Sequence, residues 1–177
     1  MSISTSLVFW IWIVVFVALP LFVLSFVKNG KGKTFIMSLF LILYLALLVV
    51  FIIGDVVITK TNVTIGFDFT HSVGGKVVNW TFADLTLMDV LINITMLIPL
   101  GMILGYFFRH LSVLKAVLIC WYLGFAFGFI LELSQYILPI ARSVQLSDAI
   151  FNMISLFIGG FIGRVCVGLS KKIYKQK

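Results

Sequence analysis

The sequence predicts an all-α fold, a polytopic transmembrane bundle of five helices, and three observations carry the prediction. Hydrophobic residues make up 62% of the 177-residue chain and charged residues 11%, at a mean hydropathy of +1.23. A soluble domain cannot cover its surface from such a composition. The apolar residues gather in five runs of about 20, the length that crosses a hydrocarbon core, at 7–27, 35–54, 86–108, Val113–Ile137 and 149–168. None of these runs alternates apolar with polar residues as barrel strands do.

The first run has no Lys or Arg before it and no small-residue cleavage site after it, so it is expected to stay as a helix and not to be removed as a leader. A tight turn at 29–32 leads into the second run. The third contains Pro99, which predicts a kink and a freed carbonyl. A second tight turn at 109–112 joins it to the fourth, and a short loop after Pro139 leads to the fifth.

The long connection lies between the second and third runs. There Val63, Ile65, Phe67 and Phe69 alternate with small or polar residues, the period of a half-buried strand. Gly74-Gly75 supplies a turn before Val77, Val78 and Trp80, so a β-hairpin flap is expected within 55–85. The layout is a single membrane domain over 1–177, with a core at 86–168, an outer flap at 55–85 and a basic cytoplasmic tail at 169–177.

Basic residues set the orientation, because cytoplasmic loops retain Lys and Arg. Lys28, Lys31 and Lys33 follow the first run, Arg109 and Lys115 separate the third from the fourth, and Arg164, Lys171, Lys172, Lys175 and Lys177 close the chain. All three clusters fall on one side, which predicts an outside N-terminus and an inside C-terminus. The net charge of +7 then reads as a topology signal and as attraction to anionic headgroups. Membrane lipids are the expected partners, and nucleic acid is not. Cys120 and Cys166 sit within apolar runs and suit packing, not a disulfide framework.

Three of the six acidic residues, Asp89, Glu132 and Asp148, interrupt or abut apolar runs. A spacing of four places Asp89 and Asn93 on one helix face. Asp148, Asn152, Ser155 and Gly159 form the corresponding stripe on the fifth helix, and Glu132 shares a face with Gln135 and Gly128 on the fourth. The two Asp-x-x-x-Asn segments make a parallel repeat, each followed at the same offset by a glycine, Gly101 or Gly160. Arg142, in the short outer loop, is the expected counter-ion, and one arginine cannot neutralise three carboxylates.

A charge at mid-helix costs about 2.5–3.5 kcal/mol, less near the interface. Asp89 and Asp148 at helix N-termini recover about 0.3–1 kcal/mol each from the dipole, whereas a cap does not explain Glu132. The remaining imbalance has three outlets: a protonated carboxyl, a bound cation, or a cationic group on a substrate. Glu132, Asp148 and Asp89 are therefore the candidate catalytic residues, and Asn93, Gln135, Arg142, Asn152 and Ser155 the candidate binding residues. Their oxygens are compatible with a divalent cation, and the sequence requires no cofactor. No His or Cys stands near them for zinc, His71 lying in the flap and His110 on the inner side.

The segment from Asp89 through Asn93 to Pro99-Leu-Gly101, then Glu132-Leu-Ser-Gln135, then Arg142, then Asp148-Ala-Ile-Phe-Asn152, resembles the VanZ-like integral membrane family. The shared pattern is an Asp-x-x-x-Asn ahead of Pro-Leu-Gly, a Glu-x-x-Gln, an Arg, and a second Asp-x-x-x-Asn in the last helix. The resemblance implies a multi-pass protein of the bacterial plasma membrane, typically Gram-positive, whose namesake is associated with low-level teicoplanin resistance. It implies no particular reaction. Relatives often carry an Asn-Leu-x-Pro-Phe-like stretch where this chain has Asn79-Trp80-Thr81-Phe82 without the proline.

Three functional readings follow. An outward-opening polar pocket binds or acts on an envelope lipid, a lipid-linked cell-wall precursor or a lipoglycopeptide. A cation- or proton-coupled transporter uses the acidic trio as its ion site. A membrane scaffold uses the same network only to hold its helices together.

Overall fold

Among the described residues six α-helices, the third and fourth of them two halves of one apolar run, are joined by short strands. The structure, a computed structural model, describes residues 2–4, 13–28, 30–53, 55–58, 62–66, 78–79, 87–137 and 144–175. A π-helical stretch, Ile13–Ala18, runs into α1, Leu19–Phe26. Then follow α2, Lys31–Ile53, α3, Leu87–Met96, and α4, Ile98–Phe107. The last two helices are α5, Val113–Ile137, and α6, Leu146–Lys175.

Among the described residues three helices are long and apolar enough to cross a membrane, over Lys31–Val49, Val113–Ser134 and Ser147–Tyr174. Each of the five expected runs carries helix, and three of the helices are of bilayer length among the described residues. The first run is described only from residue 13. The third run divides into α3 and α4 at Leu97, whose φ of −97° and ψ of 1° leave the helical region.

Pro99 causes the break: its ring removes one N–H and crowds the carbonyl one turn back. The chain restarts so that Pro99 falls in the first turn of α4, where a missing N–H costs nothing. Ser155 Oγ accepts the Leu97 N–H at 3.0 Å, so the break is closed by a neighbouring helix.

The core centres on α6, which runs parallel to α4 and antiparallel to α5. Lipid gives no hydrophobic push between membrane helices, so close backbone approach decides the packing. Glycines supply that approach. A Cβ on Gly101 would lie 2.6 Å from the Leu156 carbonyl oxygen, and one on Gly105 2.6 Å from that of Gly160. Gly159 meets the backbone of Ile98 and Gly163 that of Met102, so both walls of the α4–α6 contact are bare. On the other side of α6, a Cβ on Gly124 would stand 2.7 Å from the Met153 Cα and one on Gly128 2.7 Å from the Ala149 Cα.

Around this seam Tyr44, Leu48, Leu97, Leu100 and Leu156 form one buried cluster. Val23, Leu24, Met37, Met102, Ile103, Tyr106, Cys166 and Val167 form another. Both cysteines are free and buried, as expected of packing residues.

A hairpin does form within the expected flap, with a different partner. Strand β1, Ser2–Ser4, and strand β2, Asp55–Ile58, both pair antiparallel with β3, Asn62–Gly66. Val63 and Ile65 lie in β3, but its hairpin partner comes before it and not from beyond Gly74-Gly75. The short link between β2 and β3 closes at less entropic cost than the longer one. Val78–Asn79, β4, instead pairs parallel with β5, Val144–Gln145. Phe67, Phe69, Gly74, Gly75, Val77 and Trp80 lie outside the described residues.

The last helix also runs beyond its expected bounds of 149–168. It begins with Asp148 in its first turn and continues through most of the 169–177 tail. Acidic residues at the N-terminus and basic ones at the C-terminus both favour that length.

Candidate functional site

At the end of the bundle where α3 and α6 begin, Asn93 Nδ2 donates to Asp148 Oδ1 at 2.6 Å, with both residues partly buried. The sequence placed these groups in two halves of a repeat. The structure joins the asparagine of one half to the aspartate of the other, and packs Gly101 against Gly160 below them.

Glu132, 7% exposed, lies on α5 one turn beyond Gly128. Gly128 abuts both Ala149 and the Asn152 side chain, which sets Glu132 level with the start of α6. Asn152 and Ser147 are each 2% exposed. Neither Asn152 Oδ1 nor Ser147 Oγ has a hydrogen-bond partner among the described residues. A buried polar atom left in that state costs about 1–3 kcal/mol.

Ser155 is fully buried and receives the Leu97 N–H, about 10 Å along α6 from Asp148 at the rise of a helix. Its hydroxyl therefore serves the broken helix and stands apart from the Asn93–Asp148 pair. Asp89 falls in α3 and Gln135 in α5, and their side chains lie outside the described residues, as does the whole of Arg142. Among the described residues no group of three or more His, Cys, Asp and Glu side chains is placed to hold a metal ion.

A family model described as VanZ/LLP1 matches residues 6–167. The chain belongs to the VanZ/LLP1 family. No curated protein and no solved structure matches it. The family match reaches from the first helix to the last, and so extends well beyond the motifs in the C-terminal half.

The VanZ/LLP1 chain also carries a polar cluster at the opposite end, which the sequence had marked only as a topology signal. Lys33 is 1% exposed. Its Nζ donates to the Leu24 carbonyl at 2.7 Å, the Val27 carbonyl at 3.1 Å and Ser170 Oγ at 3.4 Å. All three ammonium protons have acceptors, two of them carbonyls at the C-terminal end of α1, where the helix dipole favours a cation. Ser170 Oγ in turn donates to the Val27 carbonyl, and the Tyr174 hydroxyl to that of Phe26. Thr34 Oγ1 and the Tyr106 hydroxyl share a hydrogen bond of 2.8 Å.

Two more cations flank this end. The Arg109 guanidinium lies 4.4 Å from the centroid of the Tyr106 ring, and Lys33 Nζ lies 5.6 Å from it. Arg164 Nη2 donates to the Leu111 carbonyl at 2.7 Å, while its Nε is buried with no partner among the described residues. Sequence reading missed the burial of Lys33 because a lysine at a span boundary usually extends its head to water. The available signal was weak: Ser170, its partner, lies 137 residues away.

Proposed function

We propose that this VanZ/LLP1 membrane protein sits in the bacterial plasma membrane as a multi-pass protein and uses its acidic-end polar centre on an envelope ligand. The ligand is an envelope lipid, a lipid-linked cell-wall precursor or a lipoglycopeptide, and its capture links the protein to teicoplanin-type resistance. The single observation that supports this reading most is the Asn93–Asp148 hydrogen bond with the orphaned Asn152 Oδ1 one turn along α6. A buried acceptor without a donor is a place where a ligand hydroxyl or ammonium gains what the protein leaves unmade.

In this reading Glu132 is the general acid or base if bonds are made or broken. Asp148 and Asp89 are its carboxylate partners. Asn93, Gln135 and Asn152 orient the ligand, and Arg142 clamps an anionic group.

A second reading, a scaffold without catalysis, has one observation in its favour: Ser155 is committed to the Leu97 backbone. One experiment separates the two. A sensitive Gram-positive host expresses the wild-type chain, Glu132→Gln or Asp148→Asn at matched membrane levels, and teicoplanin susceptibility is measured beside thermal stability in detergent. Protection lost with stability unchanged supports the pocket, and protection lost together with stability supports the scaffold. Wild-type expression without any protection removes the resistance link.

A further inference from the structure

The basic end of the bundle has a charge problem that the chain does not solve with its own residues. Ten of the 13 basic residues, all but Lys60, Lys76 and Arg142, fall in the sequence segments 28–33, 109–115 and 164–177 that form or adjoin the turns and tail of this end. The six carboxylates are Asp55, Asp68, Asp84, Asp89, Glu132 and Asp148, and none of them flanks those turns in sequence. Lys33 is buried there and held by neutral carbonyls and a hydroxyl, so its charge is stabilised but not cancelled.

Among the described residues the hydrogen-bonding groups of the Lys33 cluster are paired, and the open donor of this end is on Arg164. Arg164 reaches from α6 to the Leu111 carbonyl in the turn between α4 and α5 and keeps a buried Nε–H without an acceptor among the described residues. Arg109 starts that same turn. Its guanidinium stacks on Tyr106 and gives one N–H to the Tyr106 carbonyl at 3.4 Å. A guanidinium has five N–H donors in a planar fork that matches phosphate oxygens.

We propose that Arg109 and Arg164, on either side of the α4–α5 turn, form a seat for a phosphate group, with buried Lys33 adding positive potential behind it. The phosphodiester of an anionic lipid headgroup is the ligand class that fits. The seat lies at the turn into α5, whose first two turns carry the exposed apolar side chains Leu114 and Leu118, where acyl chains run alongside the headgroup. Each basic residue near such a surface contributes about 1 kcal/mol of attraction to anionic lipid, and an ordered fork adds direction to that attraction. Free phosphate shares the chemistry and lacks the chains.

The test uses the full chain in detergent with a short-chain phosphatidylglycerol or phosphatidylcholine, and counts retained lipids by native mass spectrometry. The expected result is at least fivefold preferential retention of phosphatidylglycerol by the wild type, falling to near parity in Arg109→Gln/Arg164→Gln. Arg109→Gln alone leaves the Arg164–Leu111 bond in place, and its expected preference is intermediate, which covers failure of the double variant to fold. Ser134→Ala, at the other end, where the hydroxyl bonds the Ile130 carbonyl of its own helix, keeps the full preference. Equal retention of phosphatidylglycerol by wild type and Arg109→Gln overturns the seat. Displacement of the lipid by millimolar inorganic phosphate overturns the lipid as its occupant in favour of the free anion.

Discussion

The Lys33 cluster and the Asn93–Asp148 site, at opposite ends of this bundle, handle buried polar groups in opposite ways. At the basic end Lys33, Ser170, Thr34, Tyr106 and Tyr174 all find partners, and several of the acceptors are backbone carbonyls that the end of α1 leaves open. At the acidic end one tight pair, Asn93 with Asp148, stands beside two buried oxygens that have no partner among the described residues. A closed network adds stability, and an open one forgoes stability where a ligand can complete it. Within the basic end the Lys33 cluster is the closed part, while Arg164 Nε is an open donor among the described residues; on the proposed reading, the acidic end is where the envelope ligand is captured.

Four substitutions break or sharpen that contrast, in descending order of expected cost. Gly159→Leu drives a side chain into the Ile98 backbone in the seam between the ends and is expected to cost about 3 kcal/mol. Both ends should fail together, read as loss of the monodisperse peak in detergent. Lys33→Met strips acceptor carbonyls of their donor and is expected to cost about 2 kcal/mol, measured as a lowered midpoint of thermal unfolding.

Ser155→Ala leaves the Leu97 N–H of the helix break unmet, at an expected cost of about 1 kcal/mol. Asn93→Ala removes one interhelical hydrogen bond and is expected to cost only about 0.6 kcal/mol, with a far larger effect on any ligand-dependent phenotype. If Asn93→Ala lowers the unfolding midpoint as far as Lys33→Met does, the division of labour is wrong.

Much of this arrangement was legible in the sequence because it rests on local signals. Run length and hydropathy give the helices, Pro99 gives the interruption, and the repeated Asp-x-x-x-Asn brings α3 and α6 into view as partners. What escaped is what depends on distant pieces meeting. Alternation at Val63 and Ile65 marks a strand but does not choose its neighbour, so β3 pairs with β2 and β1 in place of the segment beyond Gly74-Gly75. Pro99 announces a break but not the serine that closes it. Lys33 looks like any positively charged flank until α1 and α6 converge on it.

The glycine seam has a genetic consequence. Where a side chain crowds a neighbour, a second substitution can shrink the neighbour and restore the fit. Gly160 meets the Cys120 side chain, both its Sγ and its Cβ, so a small residue introduced at 160 can be rescued by Cys120→Gly. Gly101, Gly105, Gly159 and Gly163 face backbone, and backbone has nothing left to trim. In a saturation library selected for folded protein, those four positions should return glycine and yield no compensating partner.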